Sequence, residues 1–165
     1  MYRLLIFVTF NKTKSMKNST LPIRFGLVTA AVLVAYFLIL SLFNKHTNIF
    51  YSLFNGVITG FGIYETIKYL KLKDGNKFDY GRGFKFGLTT GVVATLLFTF
   101  FFMVYSTELN PLFLEQLSAV WAKDYSNFTA IVFFTVAIMG MATSLVLTLS
   151  FMQLFKSSKN ILSKA

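Results

Sequence analysis

The sequence predicts an all-α, polytopic membrane protein, and three observations lead there. Four stretches of roughly twenty residues or more lack Asp, Glu, Lys and Arg, and roughly twenty is the number a helix needs to cross hydrocarbon about 30 Å thick. Charged residues make up 13% of the chain, about half the share usual in soluble domains. Fourteen of the sixteen Lys and Arg residues fall in alternate segments between the apolar stretches, which is how charge sets orientation in a bilayer.

The first stretch, Phe25 to Asn44, is nearly all apolar and predicts helix one over about 25–43. The second, His46 to Tyr64, is weaker, with Asn55 and three glycines inside it. It predicts helix two over about 47–67. Helix three is expected over about 86–106. Tyr125 to Phe155 exceeds one crossing and predicts helix four over about 128–154, tilted or with its ends in the interface. Soluble core helices would need a charged stripe at period 3.6, and none of the four has one. Membrane β-strands would alternate apolar and polar residues over roughly ten positions, and these stretches are apolar all round. The 21 phenylalanines suit a surface that faces lipid.

Residues 1–16 read as an N-terminal extension ahead of a single four-helix membrane domain, 17–165. The apolar run near Tyr2 is too short to span and lacks a small-residue cleavage site. Met16 is the expected translation start, and a short interfacial anchor is the alternative. Arg3, Lys12, Lys14, Lys17 and Arg24 precede helix one. Lys68, Lys71, Lys73, Lys77, Arg82 and Lys85 lie between helices two and three, and Lys156, Lys159 and Lys164 follow helix four. Only Lys45 and Lys123 lie in the other two connections. Both termini are therefore expected in the cytoplasm. In the second external connection, Asn110-Pro111 is a helix start. Phe113, Leu117, Val120 and Trp121 recur at helical spacing, which predicts a short amphipathic helix over about 111–124 on the outer membrane surface.

Several chemistries are excluded or unsupported. There is no cysteine, so thiol nucleophiles, disulfides and thiolate metal sites are out. The net charge of +10 is spread between apolar segments, not over one soluble face, so nucleic acid is not an expected partner. His46, the single histidine, has no carboxylate cluster beside it, and no zinc-protease, nucleophile-elbow or phosphate-loop motif occurs. No catalytic residue, metal or cofactor is expected.

The residues worth following are of three kinds. Glu65 is a candidate intramembrane carboxylate, because a charge in hydrocarbon is costly and tends to have a partner or a role. The plainer reading pairs it with Lys68 at the interface. Lys68, Lys71, Lys73, Arg82 and Lys85 are candidate contacts for anionic lipid, or serve orientation alone. Gly56 and Gly60, Gly87 and Gly91, and Gly140 and Ser144 give small residues four apart, a spacing that lets helices approach closely. A weak internal repeat accompanies them: Phe25-Gly26-Leu27 and Thr29 recur as Phe86-Gly87-Leu88 and Thr90.

Two further patterns carry a family resemblance. FDYGRGFKFG at 78–87 is similar to the basic, glycine-containing lead-in to the third helix of the Bacteroidota membrane proteins grouped as domain of unknown function 4199. Asn110-Pro111-Leu112-Phe113-Leu114-Glu115 is similar to that family's Asn-Pro-x-Phe-x-Glu after the same helix. The resemblance covers about residues 17–160. It implies the inner membrane of a two-membrane bacterium and brings no activity with it.

The function expected is that of a non-enzymatic inner-membrane packing or interaction module, whose partners are the lipid bilayer and a second copy or another membrane protein. The alternative is a small transporter or channel subunit that uses Glu65. A lipid-acting enzyme would have to draw on Glu65, Asp79 and Arg82.

Overall fold

The computed structural model of the protein describes residues 20–43, 49–110, 112–114 and 128–156. All regular structure among them is helical. Four long helices make it up: α1 (Leu21–Leu42), α2 (Ile49–Asp74), α3 (Tyr80–Val104) and α4 (Phe128–Leu154). Three segments are long and apolar enough to cross a membrane: Leu21–Leu42, Tyr80–Leu109 and Phe128–Leu154. α2, with 26 residues, reaches about 39 Å, but Asn55 and its glycines dilute it and Lys68, Lys71 and Lys73 fill its last turns.

The helices run past the limits that hydropathy draws. α1 begins at Leu21, with Pro22 in its first turn, where a fixed φ and a missing N–H cost nothing. The basic segment between helices two and three is mostly helix as well. α2 continues to Asp74, one 3-10 turn covers Gly75–Lys77, and α3 starts at Tyr80. Lysine propagates a helix well, so the end of the apolar stretch does not end α2. Gly75 ends it, at φ +53, a conformation glycine adopts without strain. The Asp79 carboxylate then accepts a hydrogen bond from Arg82 N at 3.3 Å and caps α3;.

α3 packs against all three other helices, and α2 touches all three as well. α1 and α4 flank this central pair. Along α3 and α4 a regular antiparallel seam forms. Gly83 faces Met152, Gly87 faces Thr148, Gly91 faces Ser144, and Thr95 faces Gly140. Each rung lies one helical turn from the next, so a glycine on one helix receives a larger residue from the other. The two small-residue pairs read from Gly87/Gly91 and Gly140/Ser144 thus meet each other inside the bundle.

Hydroxyls line the closed interior. Thr66, Thr90, Ser106, Ser144 and Thr148 are fully buried. All five have the carbonyl four residues earlier as an acceptor, as Thr66 has Gly62 O at 2.8 Å and Thr148 has Ser144 O at 2.7 Å. Thr90 has Pro22 O at 3.2 Å, Phe86 O at 3.0 Å and Thr66 Oγ1 at 3.1 Å within reach. One proton serves one acceptor at a time, and the three acceptors lie on α1, α2 and α3, so Thr90 stands where these three helices meet. Its counterpart in the sequence repeat, Thr29, makes the same local bond to Phe25 O at 2.8 Å.

The end of the bundle formed by the last residues of α1 and α3 is aromatic. Phe37 sits edge-on to Phe98, Phe101, Phe102, Tyr105 and Phe113, with ring centroids 5.0–6.4 Å away. After α3 the chain widens into a π turn, Tyr105–Leu109, closed by Asn110 N to Tyr105 O at 2.8 Å. Tyr105 hydroxyl meets Ser41 Oγ and accepts from Asn110 Nδ2 at 3.3 Å.

This end corrects one expectation. Phe113, placed on the membrane-facing side of a surface helix, is buried against Phe37, Phe102 and Tyr105 instead. The reason is local: the π turn and Asn110 fold the chain back over the bundle end, where an aromatic ring removes more surface from water than it could at the rim. Helix is present at 112–114, and residues 115–124 of the expected surface helix lie outside the described residues. So do the N-terminal extension, His46, Trp121 and Asp124.

Candidate functional site

The start of α1, the end of α2, the start of α3 and the end of α4 come together at the other end of the bundle. Every described Lys and Arg lies there: Arg24, Lys68, Lys71, Lys73, Lys77, Arg82, Lys85 and Lys156. Glu65 is at the rim of this end, with about a third of its side chain exposed. Its Oε1 lies 3.2 Å from Lys68 Nζ. Glu before Lys, three residues apart on one helix face, is the stabilising order. Lys68 also lies over the Tyr64 ring, 5.6 Å from its centroid.

The other predicted cations divide by what they touch. Lys71 Nζ donates to Phe155 O at 3.1 Å and sits over that ring at 5.4 Å. It thereby serves the carbonyl end of α4, where a cation is favoured. Arg82 NH1 lies 2.8 Å from Asp74 Oδ2, and the guanidinium covers the Phe86 ring at 5.7 Å. Asp74 has a tenth of its side chain exposed, so this pair is partly desolvated and staples the α2–α3 turn. Lys73 and Lys85 are exposed on α2 and α3. Of the trio Glu65, Asp79 and Arg82, Glu65 is engaged by Lys68, the Arg82 guanidinium by Asp74, and Asp79 caps α3 through the Arg82 backbone N–H.

Aromatic rings join this polar end to the apolar flank of the bundle. Tyr64 lies against Phe151 at 5.6 Å and Phe155 at 5.3 Å. Phe151 and Phe155 escaped the sequence reading. Their spacing of four residues was the available signal, but only the α2–α4 register shows that they meet Tyr64.

That register is parallel: Gly56 lies beside Thr143, Gly60 beside Leu147, and Tyr64 beside Phe151. Here the glycines do not bring the helices together. A Cβ on Gly56 would find its nearest atom at 3.9 Å and one on Gly60 at 3.6 Å. A Cβ on Gly91 would meet Ser144 Oγ at 2.5 Å. The α2–α4 seam therefore stays open as a groove of about 500 Å³ lined by Leu53, Gly56, Val57, Gly60, Phe61 and Leu147 down to Tyr64 and Phe151. Beyond Tyr64 a second recess of about 750 Å³ opens between Lys68, Lys71, Asn76, Phe78 and Phe155. It could hold a small anionic group, since two ammonium groups and an amide border it.

No curated protein and no solved structure matches the chain. A family model described as "Protein of unknown function (DUF4199)" matches residues 24–157. That span takes in α1 from Arg24, the whole of α2, α3 and α4, and both local patterns, the lead-in to α3 and the turn after it, and the chain belongs to the DUF4199 family.

Proposed function

We propose that the protein is an inner-membrane protein that crosses the bilayer four times, with both termini in the cytoplasm, and acts as a non-enzymatic packing or interaction module. One observation carries this reading: the outer surface is large and apolar, while small residues and hydroxyls build the closest helix contacts inside. Fully enclosed positions include Thr66, Thr90, Ser144 and Thr148, while Leu27, Phe61, Phe100, Phe134 and Val146 face outward. Burial of large apolar groups has no drive between helices already in lipid, so close-packing small residues take the interfaces.

The same logic supports α2 as the fourth span. Phe50, Leu53, Phe54, Val57 and Phe61 are all more than half exposed on it, a continuous apolar patch that water would penalise. The basic cluster at one end supports a cytoplasmic placement of that end. Glu65 gives the transport reading little support, since it lies at the rim and is paired with Lys68.

The chain has no cysteine, so single-cysteine labelling tests the layout directly. Lys73→Cys and Lys156→Cys are expected to react with an impermeant maleimide only after cells are broken, and Glu108→Cys in intact cells. Labelling of Lys73→Cys in intact cells would overturn the orientation, opposite behaviour of Lys73→Cys and Lys156→Cys would remove α3 or α4 as a span, and opposite behaviour of Thr20→Cys and Lys73→Cys would remove α1 or α2. Ion flux through liposomes is expected to match empty vesicles for wild type and Glu65→Gln alike. Flux that wild type supports and Glu65→Gln loses would favour transport.

A further inference from the structure

We propose that the open α2–α4 seam and the basic recess beyond it form one site for an anionic phospholipid, with an acyl chain along the glycines and the headgroup phosphate between Lys68 and Lys71. The inference rests on α2 being a membrane span.

Length argues first for a lipid. From Leu53 to Tyr64 the groove follows about eleven residues of α2, or about 16 Å at the helical rise, which matches one leaflet of hydrocarbon, about 15 Å. A spanning helix from another protein or a second copy would need a groove through both leaflets, about 30 Å. A chain anchored in one leaflet fits the dimension observed.

Charge argues second. The groove does not end in solvent. Tyr64 and Phe151 line its end, and Phe155, 5.3 Å from the Tyr64 ring, lines the neighbouring recess bordered by Lys68, Lys71 and Asn76, one helical turn further along α2. Tyrosine at this depth suits the headgroup boundary. Glu65 opposes an anion but is already matched by Lys68 at 3.2 Å. Lys71 gives one hydrogen bond to Phe155 O, and an ammonium carries three donors. Asp74, the other nearby carboxylate, is held by Arg82 on the α2–α3 turn. The site thus selects two of the five cations that sequence alone offers as lipid contacts.

Space argues third. Gly87 and Gly91 on α3 are filled by Thr148 and Ser144, whereas a Cβ on Gly56 or Gly60 of α2 would make only ordinary contacts at 3.6–3.9 Å, beside the groove. Side chains at 56 and 60 would fill the slot that an acyl chain needs.

The test is native mass spectrometry of the full chain, delipidated in mild detergent and titrated with phosphatidylglycerol or phosphatidylcholine of equal chain length. Wild type is expected to prefer phosphatidylglycerol by roughly tenfold, since each lysine near a headgroup contributes about fivefold and Glu65 offsets part of it. Lys68→Gln with Lys71→Gln should bring the preference near unity. Gly60→Leu should lower retention of both lipids, and Gly56→Leu serves the same purpose should Gly60→Leu not fold, as judged by helical circular dichroism. Glycerol phosphate, which has the headgroup charge without a chain, should not compete. Equal retention of the two lipids by wild type overturns the proposal. So does an undiminished preference in the double lysine variant, competition by glycerol phosphate, or a dimer that Gly60→Leu dissociates while lipid binding is unchanged. If the cysteine-labelling pattern holds and the preference is absent, the lipid site falls and the membrane layout stands.

Discussion

Gly91→Ala and Gly56→Ala look equivalent in sequence and should behave oppositely. Each glycine belongs to a small-residue pair four apart on a long helix, and each substitution adds one methyl. At Gly91 the new Cβ would lie 2.5 Å from Ser144 Oγ and 3.1 Å from Ile63 Cδ1. Ordinary contact needs close to 1 Å more, and the atoms in the way belong to a short side chain held against α4. The α3–α4 seam must open locally by that amount. A gap of 0.5–1 Å forfeits a quarter to a half of each atom-pair attraction of about 0.1–0.2 kcal/mol, so some thirty pairs across the seam lose about 1–3 kcal/mol. The result agrees with the usual cost of overpacking, about 1–3 kcal/mol. The weak Thr95–Ser144 contact at 3.5 Å would be lost as well. At Gly56 the nearest atom stands 3.9 Å away, and alanine makes ordinary contact without displacing it. Both substitutions gain the same helix propensity, so the difference between them isolates packing. Reversible unfolding in mixed detergent and dodecyl sulfate should place Gly91→Ala about 1–3 kcal/mol below Gly56→Ala, with Gly56→Ala at or slightly above wild type. Equal stabilities, or a larger loss at Gly56, would refute the assignment of one seam as closed and the other as open.

Two further outcomes probe the rest of the bundle. Phe37→Ala removes the ring at the centre of the aromatic end and should cost about 3 kcal/mol in the same assay, while Phe37→Leu keeps most of the volume and should cost less than half of that. Thr90→Val takes away the hydroxyl shared among Pro22, Thr66 and Phe86; a loss of about 0.6–1.7 kcal/mol is expected, with Thr90→Ser close to wild type, and an unchanged Thr90→Val would show that the hydroxyl contributes nothing to holding α1 and α2 on α3.

Much of the architecture can be read before any coordinates. Long uncharged stretches are helices in lipid because no other structure satisfies their backbone within the segment. That logic locates α1, the lipid-facing part of α3 and α4, and it places Glu65 beside Lys68. It misjudges helix ends at Leu21, Asp74 and Tyr80, because hydropathy reports where lipid stops and hydrogen bonding does not stop there. The burial of Phe113 was hidden for a related reason. A periodic apolar face shows that a segment will cover something, but whether it covers a membrane surface or a bundle end depends on the π turn that re-aims the chain.

Composition, apolar run length and the placement of lysine and arginine thus determine an all-helical, membrane-embedded chain with a basic end, since those properties depend on the solvent each residue must meet. Tertiary structure alone decides which glycines are filled and which stand open. Gly87 and Gly91 receive the Thr148 and Ser144 side chains, while Gly56 and Gly60 border a groove that leads to Lys68 and Lys71. The difference lies in what stands opposite each glycine on a neighbouring helix, and the register between helices far apart in sequence cannot be inferred from the spacing within either one.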